Sequence, residues 1–242
     1  GCVKPVLTMP DQPPPIVKSH RSVTLQAGWA GMKNSGVRLE KGDVYSLFAT
    51  GKMDYCPRGG CKSRNVTPDL GWPLVTRVGD ESYRSPLFGR RLGTLDRATE
   101  SGNLYVGYKE GPLKVDGTPL RPDWYRDDTG AFYVDIVVWA RDDYDAIVSC
   151  LETMVKRSPE NEALRDGLEY ARDWKAIYAE ARKATEAIEA TKEEIATLKA
   201  ESIEAEKAVT EEQRPVETET AVVGAGAELP ASPPASSADA QK

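Results

Sequence analysis

Two adjacent carboxylates, Asp127 and Asp128, stand in the segment Tyr125-Arg-Asp127-Asp128-Thr129-Gly130-Ala-Phe132, a turn just ahead of an apolar stretch. Like charges side by side repel unless water or a cation screens them. A hard cation such as Ca2+ takes about six to eight oxygens, drawn from carboxylates and main-chain carbonyls of loops. Glu110, at the end of Leu104-Tyr-Val-Gly-Tyr108, would supply a third acid. A solvated turn explains the same residues, because Asp and Gly are favoured in turns for backbone reasons. Trp124 and Tyr125 border the acidic pair, and Trp72 lies in another loop. Such amphipathic rings stack on the apolar face of a sugar or pack at the rim of a core.

Other chemistry finds little support. A nucleophilic triad needs a base beside Ser or Cys, and the single histidine, His20, falls in what reads as an exposed N-terminal linker. Acids are plentiful enough for a glycosidase pair, but nothing singles one pair out. No glycine-rich phosphate loop follows a strand. The chain is therefore expected not to be an enzyme. Cys56 and Cys61 share one loop, Cys-Pro-Arg-Gly-Gly-Cys, and in an oxidising compartment they are a possible disulfide. As zinc ligands they lack two companions. Cys150 lies on a helical apolar face and reads as a small core residue.

Charge is uneven along the 242 residues: +3 over residues 1–159, −7 over 160–213 and −2 over 214–242. No segment is basic enough to make nucleic acid the expected partner. No run of apolar residues is long enough to span a membrane. The opening Gly1-Cys2, followed by a Pro-rich stretch, resembles the end of a bacterial lipobox. That likeness implies a lipid on Cys2 and a lipid-anchored place in a bacterial cell envelope, at the periplasmic face or the cell surface. A fragment boundary accounts for the same two residues.

The elements that must position these groups fall into five stretches. Residues 1–19, with Pro5, Pro10 and Pro13-Pro14-Pro15, read as an extended tether. Residues 20–140 read as short strands separated by Gly/Asp/Asn turns. Val37–Ala49 alternates around Lys41-Gly42-Asp43, Leu74–Val78 is a short strand, and Ala131–Trp139 puts Phe132, Val134, Ile136 and Val138 on one face. This pattern predicts an all-β antiparallel sandwich. Residues 141–158 switch to helical spacing and predict a short linking helix. Ser158-Pro159-Glu160 then predicts a helix start, with Ser158 as the N-cap. From there to 214 a repeat alternating in threes and fours runs through Ala163, Gly167, Tyr170, Trp174, Ile177, Ala181, Ala184, Ile188, Thr191, Ile195, Leu198, Ser202, Ala205 and Val209. This is the spacing of a long α-helical coiled-coil segment, which needs a second copy or another helical partner along residues 160–212. A lone charged helix held by i,i+4 pairs is the alternative. Residues 215–242 are rich in Pro, Ala, Ser and Gly and predict a disordered tail.

Residues about 21–140 resemble the PA-I family of galactose-binding, calcium-dependent bacterial lectins. The matching pieces, in family order, are Gly42-Asp43-Val44 through Ala49-Thr50-Gly51, Tyr55, Pro57, Leu74-Val75-Thr76-Arg77-Val78-Gly79, Leu104 to Glu110, and Asp127 to Phe132. The resemblance implies a jelly-roll-like sandwich in which calcium itself binds two sugar hydroxyls. It implies a metal set of Tyr55 through its carbonyl, Glu110 in place of an Asp, and Asp127 and Asp128 in place of two Asn. The loop between Glu110 and Asp127 is longer than in the family. The family's sugar-contacting His and Gln fall near Thr67 and Leu70, so galactose is not implied. Thr67, Asp69 and Trp124 become the candidate sugar-binding residues. The expectation is a surface-tethered carbohydrate-binding module, calcium-dependent and oligomerised by a coiled coil. The alternative is a structural or adaptor lipoprotein with no ligand, whose helix docks a partner.

Overall fold

The computed structural model describes residues 6–60, 64–87 and 89–212, with side chains to residue 207. Cys2, Cys61 and the segment 215–242 lie outside the described residues. Seven strands and two α-helices follow in the order β1 (Val17–Gln26), β2 (Met32–Leu39), β3 (Val44–Asp54), β4 (Leu74–Val78), β5 (Gly93–Arg97), β6 (Gly102–Tyr108), β7 (Thr129–Trp139), α1 (Tyr144–Arg157) and α2 (Glu162–Glu212). The strands make two antiparallel sheets, β1-β7-β3-β5 and β2-β6-β4. The fold is thus an antiparallel β-sandwich followed by a long helix. The Lys41-Gly42 turn carries the chain from one sheet to the other, with Gly42 at φ 92°.

The alternation in β7 is the key to the core. Successive side chains of a strand point to opposite faces. Phe132, Val134, Ile136 and Val138 enter the space between the sheets, where they meet Leu25, Leu39, Leu47, Leu74 and Leu104. The opposite face of the same strand is also buried. There Val137 and Trp139 pack with Val44, Phe48 and Leu95 against Ile147 and Leu151 of α1 and Ala163, Leu164, Leu168 and Ala171 of α2. Trp139 donates its indole N–H to Ser46 Oγ at 3.0 Å, which satisfies the one polar atom it buries.

The N-terminal stretch differs from the expected tether. Leu7 and Ile16 are buried in this second core, and the Leu7 amide donates to the fully buried carboxylate of Asp135. Apolar side chains at residues 7 and 16 cover sheet surface that would otherwise face water, and this outweighs the chain entropy that a free tether keeps. His20 is likewise not in a linker. It sits in β1 opposite Val137, with Nε2 3.5 Å from Asp135 Oδ1.

The helix boundaries also shift. Asp143 caps α1 by accepting from the Ala146 amide at 3.0 Å. Ser158, expected as an N-cap, instead closes α1 through its own amide, which donates to the carbonyls of Met154 and Val155. Asn161 starts α2: its Oδ1 accepts from the Leu164 amide at 3.1 Å, and its Nδ2 donates to the Val6 carbonyl at 2.8 Å. An amide side chain that caps the helix and holds the N-terminal segment does more here than a serine hydroxyl would.

The chain divides into two compact units, Gly1–Thr185 and Glu186–Lys242. Within the first, α2 reaches the sheet through two glycines. A Cβ on Gly93 would fall on the Ala163 carbonyl oxygen and lie 2.6 Å from the Gly167 amide, and one on Gly167 would lie 2.5 Å from the Phe48 ring. Backbone meets backbone there, which only glycine permits. Gly93→Ala should therefore destabilise the chain by about 1–3 kcal/mol through overpacking, read as a lower denaturation midpoint. An unchanged midpoint would show that helix and sheet are not in this contact.

Candidate functional site

The acidic residues gather at the end of the sandwich where β3 finishes, β6 finishes and β7 begins. Asp54, the last residue of β3, pairs in register with Thr129, the first of β7. Asp128 precedes that strand and is only 7% exposed. Its Oδ2 accepts from the Tyr108 hydroxyl at 3.0 Å, and the same hydroxyl accepts from the Gly28 amide at 2.9 Å. Tyr108 lies two residues before Glu110, so one strand end delivers both the phenol that holds Asp128 and the second carboxylate. Tyr125 lies beneath this loop, and its hydroxyl accepts from the Glu110 amide at 3.1 Å.

Three tyrosines floor the site. Tyr55 stacks on Tyr108 with ring centres 5.8 Å apart, and Tyr108 meets Tyr125 at 5.1 Å. All three phenols are pushed up in pKa, first by burial and then by neighbouring negative groups, so they stay neutral, and the Tyr108 hydroxyl donates to Asp128. Trp72 contacts Tyr55 edge-on at 6.1 Å and keeps part of its own surface in water.

Burial and mutual repulsion shape the acids. The Glu110 carboxyl is pushed up to about 7 by desolvation and by Asp128, Asp127 and Asp123. Asp128 is pushed up to about 6 by desolvation, with Asp127 and Asp54 adding to the rise against the Tyr108 hydrogen bond. Asp128 Oδ1 and Glu110 Oε2 are both buried with no hydrogen-bond partner, as is the Tyr55 hydroxyl. Asp127 is half-exposed, with Oδ2 3.9 Å from Arg58 Nε.

The structure therefore brings Tyr55, Glu110, Asp127 and Asp128 to one end of the sandwich, and adds Asp54, Tyr108 and Tyr125. Among the described residues no group of three or more His, Cys, Asp or Glu side chains forms a ready metal-holding cluster. Thr67 and Asp69 belong to the short 3-10 turn Pro68–Leu70, with Thr67 at its N-cap, and the preceding Val66 pairs with Met53 of β3. Among the described residues no hydrogen bond or ion pair ties either of them to the acids. Trp124 packs against the loop at Gly111, where a Cβ would meet its ring at 2.8 Å. Arg121 covers the Trp124 ring at 5.2 Å, and the indole is 42% exposed. Trp29, exposed next to the Gly28 anchor, borders a 110 Å³ cavity shared with Tyr108 and Lys33. Trp29 and the Tyr108–Asp128 bond were not legible in advance, because the first lies in a loop without a pattern and the second joins residues 20 apart. Cys56 is disulfide-bonded, whereas Cys150 is a buried free thiol.

One solved chain, the EclA N-terminal domain, described as a PllA-like lectin, is similar at 21% identity and a TM-score of 0.38, over 49% of this chain and 95% of that one. The IMPa metallopeptidase from Pseudomonas aeruginosa is similar at 13% identity and a TM-score of 0.24, over 61% of this chain and 16% of that one. No family model and no curated protein matches the chain.

The raised carboxyls set a pH dependence. Without a divalent cation the folded chain holds protons on Glu110 and Asp128 that the unfolded chain releases from about pH 4 upward. The native state thus binds more protons up to about pH 7, and stability falls as pH rises through that window. Thermal melts in chelator should show this fall between about pH 5 and pH 7.5, and Glu110→Gln with Asp128→Asn should flatten it. Parallel slopes in the two proteins would mean that these groups are not buried as described.

Proposed function

We propose that the sandwich binds carbohydrate through a calcium ion held at this acidic end, without turning the ligand over. The observation that carries the reading is the pair of buried, unpartnered oxygens, Asp128 Oδ1 and Glu110 Oε2. Leaving buried acceptors unsatisfied is costly, and a cation supplies what the protein does not. Two side-chain carboxylates are too few for calcium alone. The remaining oxygens would come from Asp127, from main-chain carbonyls such as that of Tyr55, and from the sugar's own hydroxyls. Calcium would supply the charge that draws two adjacent hydroxyls into its coordination shell. Tyr108 and Tyr125 would hold the carboxylate-bearing loops, and Trp124 would offer the part of its ring that Arg121 leaves exposed to the apolar side of a pyranose. The resemblance of Gly42–Gly51, Leu104–Glu110 and Asp127–Phe132 to calcium-dependent lectins points the same way.

The exposed part of α2 would gather such modules and raise the avidity of a weak site. A second reading draws on the same exposed apolar helix: the sandwich serves as a ligand-free spacer and α2 docks a partner.

Calcium should raise the melting temperature of the full chain saturably at neutral pH, and Asp128→Asn with Glu110→Gln should remove the shift. A melt identical in calcium and chelator would leave the spacer reading. Trp124→Ala should reduce retention on immobilised oligosaccharides about tenfold or more, in line with the loss of about 1.5 kcal/mol of ring stacking. The calcium shift of that variant should be unchanged. Loss of both together would mean that Trp124 supports the loop and does not touch the sugar.

A further inference from the structure

Beyond residue 186, α2 carries an apolar stripe that nothing in the described chain covers. Ile188, Ile195 and Leu198 are 56%, 47% and 58% exposed. They fall on the two seam positions of a heptad repeat: Ile188, Ile195 and Ser202 at the first, Thr191, Leu198 and Ala205 at the fourth. β-branched residues at the first position with Leu at the fourth favour two strands.

The flanking charges choose an orientation. On one side of the seam stand Ala187, Glu194 and Glu201, and on the other Lys192, Lys199 and Glu206. When two copies run parallel and in register, each residue of the first set faces the residue five positions later on its partner. Glu194 then meets Lys199, twice in a symmetric pair, and Ala187 meets Lys192. An antiparallel pair would set Glu194 and Glu201 against each other, and Lys192 against Lys199. Among the described residues Lys192, Glu194, Lys199 and Glu201 have no ion pair within the chain, so these charges are available to a partner. The parallel arrangement also sets Glu201 against Glu206, again twice, so its complementary and like-charge contacts balance, whereas the antiparallel pair would hold like-charge contacts alone.

We infer that the occupant of this stripe is a second copy of the same chain, paired as a parallel, in-register, two-stranded coiled coil over residues 188–205. The inference rests on α2 being an association helix and not on calcium or sugar. The Thr191, Ser202 and Ala205 positions bury little apolar area, so pairing is modest in strength and sensitive to single charges.

Sedimentation of the full chain in chelator and without sugar should show a dimer. Ile195→Lys with Leu198→Lys should give a monomer that keeps the melt of the first unit. Glu194→Lys should weaken dimerisation about tenfold, and adding Lys199→Glu should restore it. Chains with Thr191→Cys and, separately, Ser202→Cys should each cross-link to their own kind under oxidation, with the new bond located by peptide mapping. Only a parallel, in-register pair permits both. A monomeric chain, a trimer or larger assembly, cross-linking at one site alone, or association only with a different protein would each overturn the inference. The calcium melt is read on the first unit, so its failure leaves this result untouched.

Discussion

The structure depends on one strand being covered on both sides. β7 lies between β1 and β3 in its sheet, and its side chains from Phe132 to Trp139 are nearly all buried. One face makes the sandwich core, and the other makes a second core that only α1, α2 and residues 7–16 can close. Close approach of α2 requires the backbone contact at Gly93 and Gly167. The N-terminal segment is fixed by Asp135, which projects from the middle of β7, and by Asn161 at the start of α2. Sheet, helices and N-terminal segment are therefore parts of one cooperative body, because each covers apolar surface that the others expose.

The acidic end is the cost of the other end of β7. Where the strand begins, the side chains needed to fill a core give way to Asp127 and Asp128, and the floor beneath them is aromatic and phenolic. Tyrosine suits this place because its ring packs while its hydroxyl donates to a carboxylate. The two phenolic contacts that matter, Tyr108 to Asp128 and the Glu110 amide to Tyr125, orient the loops without neutralising them. Negative charge thus stays concentrated and partly desolvated, which explains why both carboxyls hold protons longer than usual. Removing charge at these positions would relieve the protein of that penalty, and the calcium ion proposed above would offset it with the carboxylates in place.

Much of this was readable from side-chain period. The stretch 131–139 showed its alternation, Leu74–Val78 and Leu104–Tyr108 their length and composition, and 144–157 its helical spacing. β1 was not readable as a strand, because Val17-Lys-Ser-His-Arg-Ser offers polar residues where a half-covered edge needs no apolar ones. β5 was hidden by its five residues and by Gly93, whose role is to admit a helix. The clasp between Leu7 and Asp135 spans 128 residues, and no local pattern announces it. At the candidate site the acidic pair stood out by type and turn context and Tyr55 only through the resemblance, whereas the tyrosine floor did not stand out, because Tyr108 and Tyr125 also fit an ordinary core.

The single repeat along α2 covers two physical situations. Ala163 and Gly167 sit on the seam spacing, yet here they face a β-sheet, where small residues allow contact with Phe48 and Gly93. Tyr170 and Trp174, on the same spacing, pack at the edge of that contact, with Trp174 stacked on Tyr144. From Ile188 onward the spacing is unchanged, but Ile188, Ile195 and Leu198 stand exposed to water among Thr191, Ser202 and Ala205, with Glu194 on one flank and Lys192 and Lys199 on the other. A helix that rests on a sheet needs one apolar face and no particular charge order beside it. A helix that pairs with its own copy needs both. The association inferred for this helix would rest on that change, from seam residues that pack on a sheet to exposed ones flanked by ordered charges.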